Sequence, residues 1–311
     1  MRQLYQWFSV KIGSHRNTLA SILKIISFVL YAWNDALSKL LTTTSTHTLP
    51  THTVVFYQYL FSAVLISLVY LFSSSSRQKM TGAPYHICRI LLCSCGIILL
   101  NWSFTVMPLS YAVGFNLMSP LMTIIGAYVW FRERVTYRKL LALVVSMIAY
   151  LVLLDSSRFA SAIPLSLQAC LVPSVALLCF QINTIFTKQL CRLGESSINL
   201  TQILFIGIPL VLLPFEINHP HNLTNPQLLI IGAMALNGTL ATLALNQAIA
   251  LADLTFLLPI GFLKYSIVSF FGYVYFLEFP SVNHLFGISL TMIVLYWINQ
   301  PDRLTLKPAH N

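Results

Sequence analysis

Of eight carboxylates in this sequence, Asp35 is the one that falls inside an apolar stretch, and Lys264 falls near the middle of another. A charge in hydrocarbon is costly unless it meets a partner, water or a ligand, so each is a candidate for chemistry. The two could pair across a cavity, or Lys264 could greet a substrate carboxylate while Asp35 holds a cation. The alternative is that both tie helices together or reach a membrane surface. Around them stand amides able to orient a polar metabolite: Asn34, Gln58, Asn101, Asn116, Gln181, Asn183, Asn237 and Asn246. Part of this set would serve helix–helix hydrogen bonds instead. Trp33, Tyr57, Tyr59, Trp102 and Tyr111 could stack a ring or cradle a cation, although Trp102 and Tyr111 also suit an interfacial aromatic belt. Pro120 and Pro259 each lie early in an apolar stretch, where a missing N–H leaves carbonyls free for a ligand or a neighbour.

The elements that must hold these residues are long and apolar. Only 8% of the 311 residues are charged, 57% are hydrophobic, and the mean hydropathy is +0.77. A soluble domain of that composition would expose large apolar patches, so the sequence predicts an all-α polytopic membrane protein. Spans are expected at 18–40, 53–73, 87–106, 110–131, 138–154, 165–188, 198–216, 226–250, 254–276 and 282–299.

These ten spans fall into two related sets of five. Asn101, Ser110, Tyr111, Tyr128, Phe131, Glu133, Ser146, Met147 and Ile148 reappear 145 residues later as Asn246, Thr255, Phe256, Tyr273, Phe276, Glu278, Thr291, Met292 and Ile293. Asn34, Ser38 and Lys39 echo as Asn183, Thr187 and Lys188 at a spacing of 149. An odd number of spans per set makes the second half enter the membrane from the opposite side. Two inverted five-helix repeats are a transporter design, because each half can take at one face the shape its partner takes at the other. The expected organisation is an interfacial segment 1–17, repeats at 18–155 and 165–299 joined by 156–164, and a cytoplasmic tail 300–311.

The net charge of +10 is an orientation signal rather than a nucleic-acid footprint. With the N-terminus in the cytoplasm, fourteen basic residues, Arg89 and Lys188 among them, fall at or near the inner face; only Lys39 and Arg158 fall outside, and Lys24 and Lys264 lie within spans. Both termini are then cytoplasmic, and the setting is a bacterial inner membrane. Residues 1–16 are basic, polar and aromatic, which argues against a cleavable signal peptide. The six cysteines show no metal-type spacing and read as small packing residues. Asn222-Leu223-Thr224 fits a glycosylation acceptor in an outer loop. No zinc-protease motif, nucleophile elbow, phosphate loop or acidic pair is present, so an enzyme is not expected. A membrane-embedded enzyme or receptor is the reading from another class. Glu133 and Glu278 each end a span; Glu133 is expected to bind Arg138 or Lys139, and Glu278 backbone donors at the start of the next helix.

Three motifs carry a resemblance: the helix-1 ending Asn34-Asp35-Ala36-Leu37-Ser38-Lys39, the stretch Ser119-Pro120-Leu121 leading to Phe131-Arg132-Glu133, and Tyr275-Phe276-Leu277-Glu278-Phe279-Pro280 followed by Leu285-Phe286-Gly287. With them the chain resembles the drug/metabolite transporter superfamily in its ten-helix form with two EamA-type repeats, over about 18–299. The helix-1 ending and the Glu-Phe-Pro segment look most like S-adenosylmethionine uptake transporters, and that resemblance implies uptake or exchange of that metabolite. Such transporters carry an arginine in helix 2 where this chain has Gln58, and a basic-then-acidic pair in helix 9 where it has Gly261 and Lys264. An exporter of amino acids or amphipathic drugs is the alternative within the class. The expected partners are a small-molecule substrate and the lipid bilayer, with a homodimer left open; no nucleic acid, cofactor or metal is expected.

Overall fold

In a computed structural model the protein is described at residues 2–44, 48–72, 82–114, 167–218, 220–257 and 260–278, with isolated positions in 126–148 and 286–290. Every regular element among these is helical. That follows from the sequence, since a backbone in hydrocarbon has to satisfy its own N–H and C=O groups. The helices are α1 (Arg2–Lys39), α2 (Thr51–Phe72), α3 (Ala83–Val106), α4 (Leu109–Gly114), α5 (Leu167–Arg192), α6 (Ser197–Asn218), α7 (Asn225–Leu251), α8 (Leu254–Leu257) and α9 (Gly261–Phe276), with a π-helical turn at Leu40–Thr44. Six segments among the described residues are long and apolar enough to cross a membrane: Arg16–Thr43, Thr51–Phe72, Ala83–Val106, Leu171–Arg192, Ser197–Asn218 and Asn225–Leu251. Their outward faces carry large exposed apolar side chains, such as Val64, Leu68 and Leu71 on α2 and Leu210 and Ile217 on α6.

Three expectations meet this structure differently. The N-terminal residues continue α1 as one helix from Arg2, with no break near residue 17. The stretch 254–276 is two helices, α8 and α9, and α8 ends two residues before Pro259. The expected spans at 110–131, 138–154 and 282–299 lie wholly or largely outside the described residues, as do Asn116, Pro120 and Pro259.

The helices start where local chemistry allows. Gly82, at φ 75°, turns the chain into α3, and a proline occupies the first turn. At the start of α7, Gln227 Oε1 accepts the Thr224 N–H at 2.9 Å, closing a donor that the first turn would leave open. Prolines also fall inside long helices, Pro173 in α5 and both Pro209 and Pro214 in α6.

The duplication read from the sequence extends to backbone detail. Helix α3 ends at Val106 and α7 at Leu251, and their C-caps Met107 and Ala252 share an extended geometry (φ −146°, ψ 162° and φ −134°, ψ 163°). The two non-glycine residues with positive φ among those described, Arg132 at 50° and Leu277 at 53°, are again 145 apart. Packing obeys the same exchange. Helix α1 lies along α7 of the other half, α5 lies along α3, and α2 packs on its counterpart α6. Close approach is built in at Gly207, where a Cβ would come 2.3 Å from Ile90 Cδ1 on α3.

Candidate functional site

Helices α1, α2, α3, α5, α6, α7, α8 and α9 surround a cavity of about 270 Å³. Its residues are polar where the sequence placed amides and charges within apolar helices, because such groups cost least where they face one another or a wet space. Among the described residues, three cations and one carboxylate line it: Lys24, Arg89, Lys264 and Asp35. Lys264 Nζ lies 2.8 Å from Asp35 Oδ2 as an ion pair without hydrogen-bond alignment, and 5.7 Å from the centre of the Tyr31 ring. Lys24 Nζ donates to Leu257 O at 2.6 Å, filling the carbonyl left open where α8 stops. Arg89 is 1% exposed; its Nε donates to Asn183 Oδ1 at 3.2 Å, and its Nη1 has no partner among the described residues. One turn before it, the buried His86 Nε2 meets both oxygens of Glu195 at 3.0 and 2.9 Å.

The structure brings Asn34, Asp35, Gln58, Asn101, Gln181, Asn183, Asn246 and Lys264 together on this cavity. Several are already engaged. Asn101 Oδ1 accepts from the Ser38 hydroxyl, Asn101 Nδ2 donates to Ile97 O at 2.9 Å, and Asn246 Nδ2 donates to Thr201 Oγ1 at 2.9 Å. Asn34 Oδ1 is buried and has no partner among the described residues. Gly238 of α7 makes room for this group, since a Cβ there would stand 3.2 Å from both Asn34 Nδ2 and Gln58 Nε2. Three expected residues stand elsewhere. Trp33 turns outward and is 39% exposed, while Tyr57 and Asn237 do not line the cavity; Tyr57 instead packs edge-on against Phe56. A helix turns about 100° per residue, so Trp33, two positions before Asp35, is carried away from the cavity face that Asn34 and Asp35 share.

Sequence reasoning missed Arg89, Lys24 and most of the aromatic wall. Arg89 is not an anchor at the inner face; it is six residues into α3 and buried. Its position inside an apolar span, opposite the repeat residue Asn183, was the signal available. The wall is formed by Phe28, Tyr31, Tyr59, Phe180 and Phe205, with Tyr31 Oη held 2.7 Å from Thr242 Oγ1. No motif marks these aromatics; their shared helical faces alone bring them in.

At two ends of the helix bundle the repeated lysines do equivalent work. Lys39 Nζ donates to Met107 O at 3.4 Å, and Lys188 Nζ donates to Ala252 O at 2.6 Å; Met107 and Ala252 are the repeat-related C-caps. Lys39 also meets Glu278 Oε1 at 2.6 Å, and that carboxylate accepts the Leu109 N–H at 3.1–3.2 Å. Glu278 thus binds a lysine and, as a backbone donor, the N–H of the first residue of α4 in the other half; the start of the segment that follows it lies outside the described residues. Lys188 reaches Ile249 O at 2.7 Å as well. The repeated phenylalanines each take a cation, Lys39 at 5.0 Å from the Phe276 ring centre and Arg192 at 4.2 Å from that of Phe131. Glu133 lies outside the described residues.

Comparison with known proteins follows the same direction. Residues 18–155 match the EamA-like transporter family. A riboflavin transporter of Vibrio cholerae is 27% identical over 258 residues, covering 81% of this chain and 84% of the relative. A riboflavin transporter of Brucella anthropi is 23% identical over 273 residues, covering 84% and 92%. A protein of known crystal structure, 12% identical, superposes with a TM-score of 0.70 over 94% of this chain and 99% of its own, which shows a shared fold. The chain is therefore a multi-pass integral membrane protein whose residues 18–155 are similar to the EamA-like transporter family.

Proposed function

We propose that the protein is a secondary transporter that carries a planar, acceptor-rich heteroaromatic metabolite of the flavin type through this cavity by alternating access. The observation that carries the reading is the lining itself: five aromatic rings beside the cations Lys24, Arg89 and Lys264, with one carboxylate, Asp35, already paired to Lys264. Rings offer faces for stacking, and the open Arg89 Nη1 and the amides offer hydrogen bonds to ring carbonyls and nitrogens. The riboflavin transporters among the relatives support the same substrate class. A volume of about 270 Å³ lies near the lower end of small-molecule pockets, about 300–1,000 Å³.

S-adenosylmethionine, implied by the motif resemblance, suits the site less well. Its sulfonium needs an anion, and the cavity carries three cations against one carboxylate that Lys264 already holds. In the mechanism we favour, the two repeats are inverted and the equivalent lysine contacts release in turn, Lys39 at one face and Lys188 at the other. The basic-residue bias supports cytoplasmic termini in a bacterial inner membrane. Proteoliposome uptake of riboflavin, S-adenosylmethionine, S-adenosylhomocysteine and amino acids tests the substrate. Saturable riboflavin accumulation, weakened at least tenfold in Arg89→Gln, is expected; S-adenosylmethionine uptake with riboflavin excluded would contradict it.

A further inference from the structure

Away from the cavity, at the start of α2 and the end of α6, His52, Glu216 and His221 bring one ligand atom each to within 4.8 Å of one another. We propose that these three residues form a binding site for a divalent transition ion, with zinc as the best-suited occupant. The donor set is two imidazoles and one carboxylate, which suits zinc and its first-row neighbours and does not suit the all-oxygen preference of magnesium or calcium.

Glu216 supplies the strongest argument. It is 5% exposed, its Oε1 accepts no hydrogen bond, and it pairs with no lysine or arginine among the described residues. It also occupies the last turn of α6, where the helix dipole disfavours an anion. A buried carboxylate in that position gains from a nearby positive charge, and a metal ion held with His52 and His221 supplies one.

Thr53 arranges the group. Its hydroxyl donates to Glu216 Oε2 at 3.0 Å and lies 3.2 Å from His221 Nδ1, so one side chain orients two ligands in the manner of outer-shell support. The His52 and His221 rings stand edge to face with centres 6.0 Å apart. Metal–ligand bonds of about 2.0–2.1 Å at tetrahedral angles require ligand atoms about 3.3 Å apart, so the ion would draw the three inward by an ångström or so. His221 can supply that movement, because it lies in the short connection between α6 and α7 and is only partly buried. The fourth coordination position faces this partly open side and is suited to water. Occupancy would staple the first turn of α2 to the last turn of α6 and the connection beyond it. The sequence hides the site because His52 stands more than 160 residues from its two partners, far outside any local metal-motif spacing.

The test uses the untagged full-length protein in detergent, with zinc affinity measured by competition with a chromophoric chelator and melting temperature followed in parallel. One zinc equivalent per chain is expected, with a rise in melting temperature, and both Glu216→Gln and His221→Ala should weaken affinity at least tenfold and abolish the rise. Because His221 lies outside the helices, its variant keeps the test open if the buried Glu216→Gln fails to fold. Absence of stoichiometric zinc binding to the folded wild type, less than a tenfold loss in any variant that folds, or an equal thermal response to magnesium would overturn the proposal.

Discussion

The two repeat-related lysines share an acceptor, the C-cap carbonyl, and among the described residues each adds a second one of its own. Lys39 closes on Met107 O and the Glu278 carboxylate, and Lys188 closes on the carbonyls of Ala252 and Ile249. The common part, a lysine on the C-cap carbonyl of the third helix of a repeat, is what duplication preserves. The Lys39 ammonium is held by a mostly buried carboxylate, so losing that partner would leave an uncompensated charge behind.

The largest effect is expected at Glu278. Glu278→Gln leaves Lys39 without its anion and should cost about 3 kcal/mol, read as a transport rate reduced at least thirtyfold in proteoliposomes. The charge swap Lys39→Glu with Glu278→Lys should recover part of that loss; no recovery would mean that the pair acts through shape alone. Lys188→Met sharpens the comparison by orphaning two carbonyls, for an expected cost of about 2 kcal/mol and a lower melting temperature in detergent. If Lys188→Met proved more damaging than Glu278→Gln, the ranking of the two ends would reverse. Smaller still is Gly238→Ala. The added Cβ crowds Asn34 and Gln58 at 3.2 Å, which should lower substrate affinity by about 1 kcal/mol and leave both ends untouched. A fourth outcome concerns orientation alone: a cysteine at the exposed Asn222 should react with impermeant reagent added outside intact cells, and one at Lys79 should not.

Much of this was legible in the residues. The C-caps at Met107 and Ala252 and the positive φ at Arg132 and Leu277 keep the repeat spacing of 145 that the sequence shows, because helix ends recur where sequence recurs. Asp35 and Lys264 stood out as charges in apolar stretches, and they meet at 2.8 Å. Trp33 misled because residue type alone cannot say which face of a helix points inward. Arg89 was hidden by a rule that counts charges near span ends without asking whether they are buried. The contact of Glu278 with Lys39 joins residues 239 apart in opposite halves, and no local pattern signals that.

The proposed transport cycle has the two ends moving in opposite senses around one cavity. Its most direct test is a pair of spin-label distances in a cysteine-replaced background, Thr48 to Tyr275 beside Lys39 and Leu193 to Asp253 beside Lys188. Glu278→Gln should lengthen the first distance and shorten the second. Two distances that lengthen together, or that both stay at their wild-type values, would contradict it.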